Sequence, residues 1–309
     1  MGRCLAVFVL GLVAWLPSIV HAQSCSVSAG PMSFGTTSAV PVAQADVSPS
    51  FTVTCSGGDA NDTLTVCVGI SPSPAGNRLM SNGANTLQYQ IYTNPVRTVV
   101  WTSDSQLSPL INVTLNGSGN GNATAPMYGR LLNPPAQSPP SGIYNAGLSL
   151  AGRISKNKGC NNGSEQGSLT GGSFNVTASI GGSCTISATP INFGSTTNLA
   201  AAIDATGALT ATCTSGLPYT LALNAGSTTG NTIAARRMSL GGTGPGVVAY
   251  QLYRDSGPAN LWGDGSTGGV HSGSGSGSAQ TLTVYGQVPA QARPAGGTYR
   301  DTVTATISY

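Results

Sequence analysis

Seven cysteines, two histidines and nine acidic side chains are the groups in this chain from which a metal site or a nucleophilic or carboxylate catalytic set would be built. Cys4 lies in a leader-like N-terminal stretch, so an exported chain keeps six cysteines: Cys25, Cys55, Cys67, Cys160, Cys184 and Cys213. An even set in an exported chain predicts disulfides. Metal binding is the poorer reading, since no Cys-x-x-Cys occurs and His271 is the one histidine beyond the leader. Glu165 is the one glutamate, and Asp255 and Asp264 flank Trp262. A glycoside-cleaving pair would need two such acids in a cleft, and turn aspartates explain these two better. No Ser/His/Asp or Cys/His set can be assembled. The expectation is a non-enzyme with no cofactor and no metal.

Residues 1–22 read as a signal peptide. Arg3 supplies the positive start, Leu5 to Leu16 the apolar stretch and Val20-His21-Ala22 the small-residue cleavage site. The apolar run is short for a membrane span, so the expected product is soluble, exported and begins at Gln23. Charged residues make up 7% of the chain, and the formal charge of +3 includes Arg3. Arg236-Arg237 is the nearest thing to a basic cluster, which gives a nucleic-acid partner no support.

The elements that must position these groups are written twice. CSVSAGPMSFG (25–35) returns as CTISATPINFG (184–194), and Cys55 returns as Cys213. YQIYT (89–93) and Trp101 return as YQLYR (250–254) and Trp262, and SGIYNAGLSLAGRI (141–154) as GGTYRDTVTATISY (296–309). The repeat predicts Cys25–Cys55 and Cys184–Cys213 as one bridge in two copies, with Cys67–Cys160 extra to the first. Each repeated bridge closes a loop of about 30 residues, worth roughly 3–4 kcal/mol in the chain-entropy model. Period-2 alternation, as in Leu64-Val66-Val68-Ile70 and Tyr219-Leu221-Leu223, with frequent Gly, Pro, Asn and Ser turns, predicts an all-β chain. The expected fold is two tandem immunoglobulin-like antiparallel β-sandwiches, residues 23–180 and 181–309. The Gly/Ser run at 272–278 reads as a flexible loop.

The copies differ at their ends. The first runs on into FNVTASI, with Phe174, Val176, Ala178 and Ile180 on one face, and this segment is expected to complete the first sandwich. The second stops at Tyr309, so the expectation is a sandwich lacking its last strand. Val303, Ala305, Ile307 and Tyr309 would then form its open, strand-accepting edge.

The pattern C-x5-P-x2-FG, a cysteine some 30 residues on, a central Tyr-Gln-[Ile/Leu]-Tyr and a closing G-x-Y-x-D-T-V-x-A-x-I-x-Y resembles the spore coat protein U domain. The second copy carries it fully, through Cys184, Pro190, Phe193-Gly194, Cys213, Tyr250 to Tyr253 and Gly297 to Val303. The first departs where Asn145-Ala146-Gly147 replaces Arg-Asp-Thr. The resemblance implies a subunit of an archaic chaperone–usher pilus, with two-domain members similar to tip adhesins. It implies as partners a periplasmic chaperone, an outer-membrane usher, an adjacent pilin donating a strand, and an abiotic or host surface. Only Gln23 and Ser24 precede Cys25, so this chain is expected to accept a strand and give none, and to sit at the pilus tip on the cell surface.

Two other readings stand beside this one: a self-contained coat protein of a spore or cell surface, and a secreted carbohydrate-binding protein using Tyr89, Tyr92 and Trp101. Recurrence of these aromatics in the second copy argues for framework. Apolar residues that the first copy has in its loops and the second lacks are Val96, Val99, Val100, Leu107, Leu110 and Ile111. These are the candidates for binding a hydrophobic surface, against the plainer reading of a larger core.

Overall fold

The computed structural model describes residues 23–103, 108–134, 137–156 and 168–309, and no helix occurs among them. The N-terminal half contains β1 (Ser24–Ala29), β2 (Met32–Ser38), β3 (Ala45–Val47), β4 (Ser50–Ser56), β5 (Thr63–Ser71), β6 (Arg78–Asn82), β7 (Asn85–Tyr92) and β8 (Leu110–Thr114). β9 (Gly121–Pro126), β10 (Tyr128–Leu131), β11 (Gly142–Lys156), β12 (Ser168–Thr170) and β13 (Ser173–Gly181) follow. The C-terminal half contains β14 (Cys184–Ala188), β15 (Ile203–Cys213), β16 (Pro218–Leu223), β17 (Arg236–Leu240), β18 (Val247–Tyr253), β19 (His271–Ser274), β20 (Ala279–Val288), β21 (Tyr299–Arg300) and β22 (Ala305–Ser308).

Each half is a sandwich because its strands alternate and must bury one face. In the first, β12-β1-β4-β9 form one sheet, and β2-β13-β11-β6-β7-β10-β3 the other, with β5 joined to the far part of β11 and β8 to β5. Phe51, Val53, Leu64, Val66, Val68, Ile70, Leu87, Tyr89 and Ile91 all lie in one buried cluster. The second half repeats the plan as β14-β15-β20-β18-β17-β21 and β19-β16-β22, with a separate core including Leu209, Ala211, Tyr219, Leu221, Leu223 and Tyr250. β20 does alone what β9 and β10 do together, because the first copy breaks at Met127, whose N–H bonds Pro49. The Phe-Gly turn is repeated to the backbone: Gly35 has φ 71° and Gly194 φ 77°, a left-handed conformation that glycine adopts without Cβ strain.

Cys25 bonds Cys55 and Cys184 bonds Cys213. In both cases the two cysteines are directly opposed in an antiparallel ladder, where strands approach most closely. Cys67 is held in a disulfide, and its expected partner Cys160 lies outside the described residues, as do residues 1–22, Glu165 and Leu107.

The Gly/Ser run is more ordered than its composition implies. Its first residues belong to β19, paired with β16. The amide N–H of Gly277 then donates to Cys213 and that of Gly216 to Gly275. Backbone hydrogen bonding to a neighbouring strand requires no side chain, which is why composition alone misreads it. The closing segment of the second copy is also not one strand. Tyr299–Arg300 ladders with β17 and Ala305–Ser308 with β16, residues 301–304 between them belong to no ladder, and Tyr309 is 62% exposed.

β13 supplies the last lane of the first sandwich. It runs antiparallel to β11, from Gly142↔Ile180 to Ser149↔Ser173, and parallel to β2, with Val176 opposite Met32. Phe174, Val176, Ala178 and Ile180 are buried, while Asn175 is exposed. Replacing Val176 with Asp should therefore destabilise the N-terminal sandwich by about 3–5 kcal/mol, the cost of an uncompensated buried charge. Asn175→Asp should leave it nearly unchanged. Thermal unfolding of the two variants decides the point: equal melting temperatures would mean that β13 does not hold the sandwich closed.

Candidate functional site

The same lane is vacant in the second sandwich. Residues 191–197, the counterpart of β2, form no strand, and among the described residues none lies between them and 301–304. The consequence is read in burial. Met32, Phe34, Tyr144, Leu148 and Leu150 of the first half are buried. Their counterparts Ile191, Phe193, Tyr299, Val303 and Ala305 are only partly buried against their core. The result is an apolar groove with an unpaired rim. Thr302 and Thr304 turn their amides inward, donating to the Ser227 hydroxyl at 3.2 Å and to Asn224 Oδ1 at 2.9 Å. By strand alternation the backbone of Val303 points the other way, into the vacant lane. Of the sequence-predicted edge residues, Val303, Ala305 and Ile307 are partly buried against the second core, Ala305 and Ile307 within the ladder to β16, and Tyr309 is 62% exposed.

The aromatics are framework. Trp101 and Trp262 are 0% and 1% exposed, and their indole N–H groups donate to the carbonyls of Val68 (2.7 Å) and Leu221 (3.0 Å). Against each lies a buried arginine that sequence reasoning missed. Arg78 and Arg236 stand opposite Tyr89 and Tyr250 in their ladders, and each donates to the carbonyl of its tryptophan at 2.9 Å. Arg236 is 0% exposed, so the apparent basic pair Arg236-Arg237 is not a surface patch. Burial lowers both guanidinium pKa values and raises that of Tyr89 to about 12. With Tyr89 and Trp101 closed in the core, neither is available to stack on a sugar ring.

The acid–base candidates are structural too. Asp255 accepts amides of Asn260 and Ala259, and Asp264 those of Thr267 and Ser266, so each carboxylate caps its own turn. Those amides, Asn260 and Thr267 first, hold both below the usual carboxylate range. His271 is not a solvated loop residue. It sits in β19 with its ring 6.4 Å from Tyr219 and 6.3 Å from Trp262. Burial, then Arg254, lowers its pKa. Among the described residues no three His, Cys, Asp or Glu side chains are grouped to hold a metal.

The apolar candidates divide. Val96 is 70% exposed, Val99 40% and Leu110 57%. Val100 is half-buried and bridges Tyr92. Ile111 is a core residue, not a surface one: β8 alternates, so Ile111 and Val113 turn inward while Leu110 and Asn112 turn out. Asn145 of β11 pairs with Ser81 near the end where Gly142 meets Ile180, and β7 runs back from there. The turn at 93–99 thus lies away from the junction with the second sandwich.

That turn is braced. Asn94 Oδ1 accepts the amides of Thr98 and Val99, as Asp255 does in the second copy. Arg97, at φ 56°, takes a left-handed conformation unfavourable to a long side chain. Its guanidinium pays for it by donating to the carbonyl of Gly129 and to Ser48, pairing with Asp46 at 3.3 Å and stacking over Tyr128. Arg130 grips the same carboxylate at 2.7 Å, and this hydrogen bond is the main cause holding Asp46 below its usual pKa. Sequence reasoning missed this brace. The only signal was a lone arginine inside an apolar loop.

A search of curated proteins returned no match. Among solved structures, the chain is similar to the CsuC–CsuE chaperone–tip adhesion subunit pre-assembly complex from the archaic chaperone-usher Csu pili of Acinetobacter baumannii. The likeness is 20% identity over 92% of this chain and 100% of that one, with a TM-score of 0.55. It is also similar to the CupB6 tip adhesin of Pseudomonas aeruginosa (12% identity, 93% and 94% covered, TM-score 0.40). A third is CfaE, the adhesive subunit of CFA/I fimbria of enterotoxigenic Escherichia coli (8%, 91% and 92%, 0.33). Of these three only the first exceeds 0.5, and at such identity it speaks for the fold. The profile of the Spore Coat Protein U domain matches residues 13–149 and again 170–306. Each half thus carries one copy, and the chain belongs to the Spore Coat Protein U domain family.

Proposed function

We propose that this chain is the tip adhesin subunit of an archaic chaperone–usher pilus. The observation that carries the reading is the vacant lane of the second sandwich, whose equivalent in the first is filled by β13. An extended segment of another chain entering that lane would gain backbone hydrogen bonds along the rim and place alternate side chains in the groove. A periplasmic chaperone would supply it first and an adjacent pilin after the outer-membrane usher. The N-terminal sandwich is closed by its own residues 173–181, and the C-terminal one accepts. A subunit of this kind belongs at the end of a fibre on the cell surface, after export behind residues 1–22. Its free end would then present Val96, Val99 and Leu110 to an abiotic or host surface.

Produced alone in a bacterial periplasm, residues 23–309 should aggregate or be degraded, since an open edge is an aggregation hazard. The same chain with a copy of residues 173–181 joined after Tyr309 should be a stable monomer. A monomeric, thermally stable product without the added strand, unaltered by adding it, would overturn the reading and favour a self-contained coat protein.

On the complemented chain, Val96→Ser with Val99→Ser should reduce retention on polystyrene by about tenfold, as expected for losing roughly 1.4 kcal/mol of apolar burial. Melting temperature should not change. Retained adhesion would remove these residues from the binding surface.

Asp46 adds a pH dependence. Its folded pKa is depressed, so its hold on Arg97 is present above the ordinary carboxylate range and is lost as pH falls through the lower folded value. Adhesion should be flat from about pH 5 to 8 and fall below about pH 4. In Asp46→Asn that acid step should be absent, as read by adhesion across the pH series.

A further inference from the structure

The second sandwich must keep an acceptor rim straight with no strand on the side where the first has β13. In the first sandwich, residues 142–149 are held by the ladder to β13, and Ala146 faces Val176 across it. Asp301 occupies the place of Ala146 in the second copy, where that ladder is missing. Its carboxylate accepts six hydrogen bonds. Oδ1 takes the amide and hydroxyl of Ser227 (2.8 and 3.0 Å) and those of Thr228 (2.9 and 3.2 Å). Oδ2 takes the Tyr250 hydroxyl at 2.7 Å and the Asn231 amide at 3.0 Å.

Most of the donors come from the segment between β16 and β17, residues 224–235. The corresponding connection in the first copy, 72–77, is shorter. The same segment supplies Asn224 and Ser227 to the amides of Thr304 and Thr302. It approaches closely because Gly226, at φ 94°, has no side chain. A Cβ there would collide with the Asp301 carboxylate. The longer segment and the aspartate thus occur together, in the half whose lane is vacant.

We infer that Asp301 and the 224–231 segment form a latch that holds residues 301–304 extended along the open groove, so that the acceptor site is formed before a strand arrives. This rests on the reading that the C-terminal sandwich accepts a strand. Asp301 is a positioning residue, and the strand itself takes over its role once paired, as β13 does beside Ala146. Ordering the rim in advance removes a cost that would otherwise fall on binding.

The test places Asp301→Ala and Asp301→Asn in two forms of the full chain: open, held with its pilus chaperone, and complemented by residues 173–181 joined after Tyr309. The open form is measured for transfer from chaperone to a synthetic peptide of residues 173–181, and both forms for amide exchange at Thr302 and Thr304. In the open form, Asp301→Ala should slow peptide capture by about tenfold or more, the equivalent of one charge-assisted hydrogen bond, and speed exchange of both amides. Asp301→Asn, which keeps one acceptor oxygen, should fall between. In the complemented form neither variant should shift exchange or melting temperature appreciably. Equal damage in both forms would make Asp301 an ordinary structural residue and overturn the latch, as would no effect in either. If the added strand fails to stabilise the wild-type chain, strand acceptance itself is wrong, which is a different outcome from either.

Discussion

A β-sandwich can be closed only when every interior strand edge has a neighbour, and the structure turns on one lane that the two halves treat differently. Backbone N–H and C=O groups along an unpaired edge keep their demand for partners, and the apolar faces beside them stay half wet. In the first half β13 meets both demands. In the second, Ile191, Phe193, Tyr299 and Val303 remain partly buried around the empty lane. Burying an apolar side chain is worth about 1.5–3 kcal/mol. A groove of several such residues is therefore a large reservoir of binding energy for any segment that can enter as a strand.

What does not vary between the halves is a buried set of hydrogen bonds in the core. Each buries an arginine whose guanidinium is satisfied by the carbonyl of a buried tryptophan, with the indole N–H bonded to the neighbouring strand. A buried guanidinium without acceptors would be costly, so arginine, tryptophan and the strand carbonyl hold one another in place. The disulfide joins the same two opposed strands in both copies, β1 to β4 and β14 to β15. These contacts are the same in both halves although only one lane is filled, and the Asp301 cluster adds hydrogen bonds at the rim of the other.

The loops follow the same logic at a smaller scale. Asn94 and Asp255 cap equivalent turns with equivalent hydrogen bonds. The second copy puts Gly257 at its turn, and the first puts Val96 and Arg97. An exposed valine on a floppy loop would tuck inward. Here Arg97 ties the turn to β3 and β10 through Asp46, Ser48 and the carbonyl of Gly129. The two valines stay out because their neighbour is fastened down.

Much of this was legible in the residues themselves. Repetition exposed the two sandwiches and the two equivalent bridges, and alternation placed Phe174, Val176, Ala178 and Ile180 on one face. These signals are local, set by the period of the strand, and survive without knowledge of what packs against them. What the sequence could not decide depends on contacts between distant segments. Leu110 and Ile111 are adjacent apolar residues, and only the pairing of β8 with β5 determines which is buried. Arg236 reads as surface charge until the carbonyl of Trp262 is brought to it, and Asp301 reads as a motif letter until Ser227, Thr228, Asn231 and Tyr250 converge on its carboxylate. Hydrogen-bond partners far apart in the chain leave no periodic trace, so the latch and the brace became visible only in three dimensions.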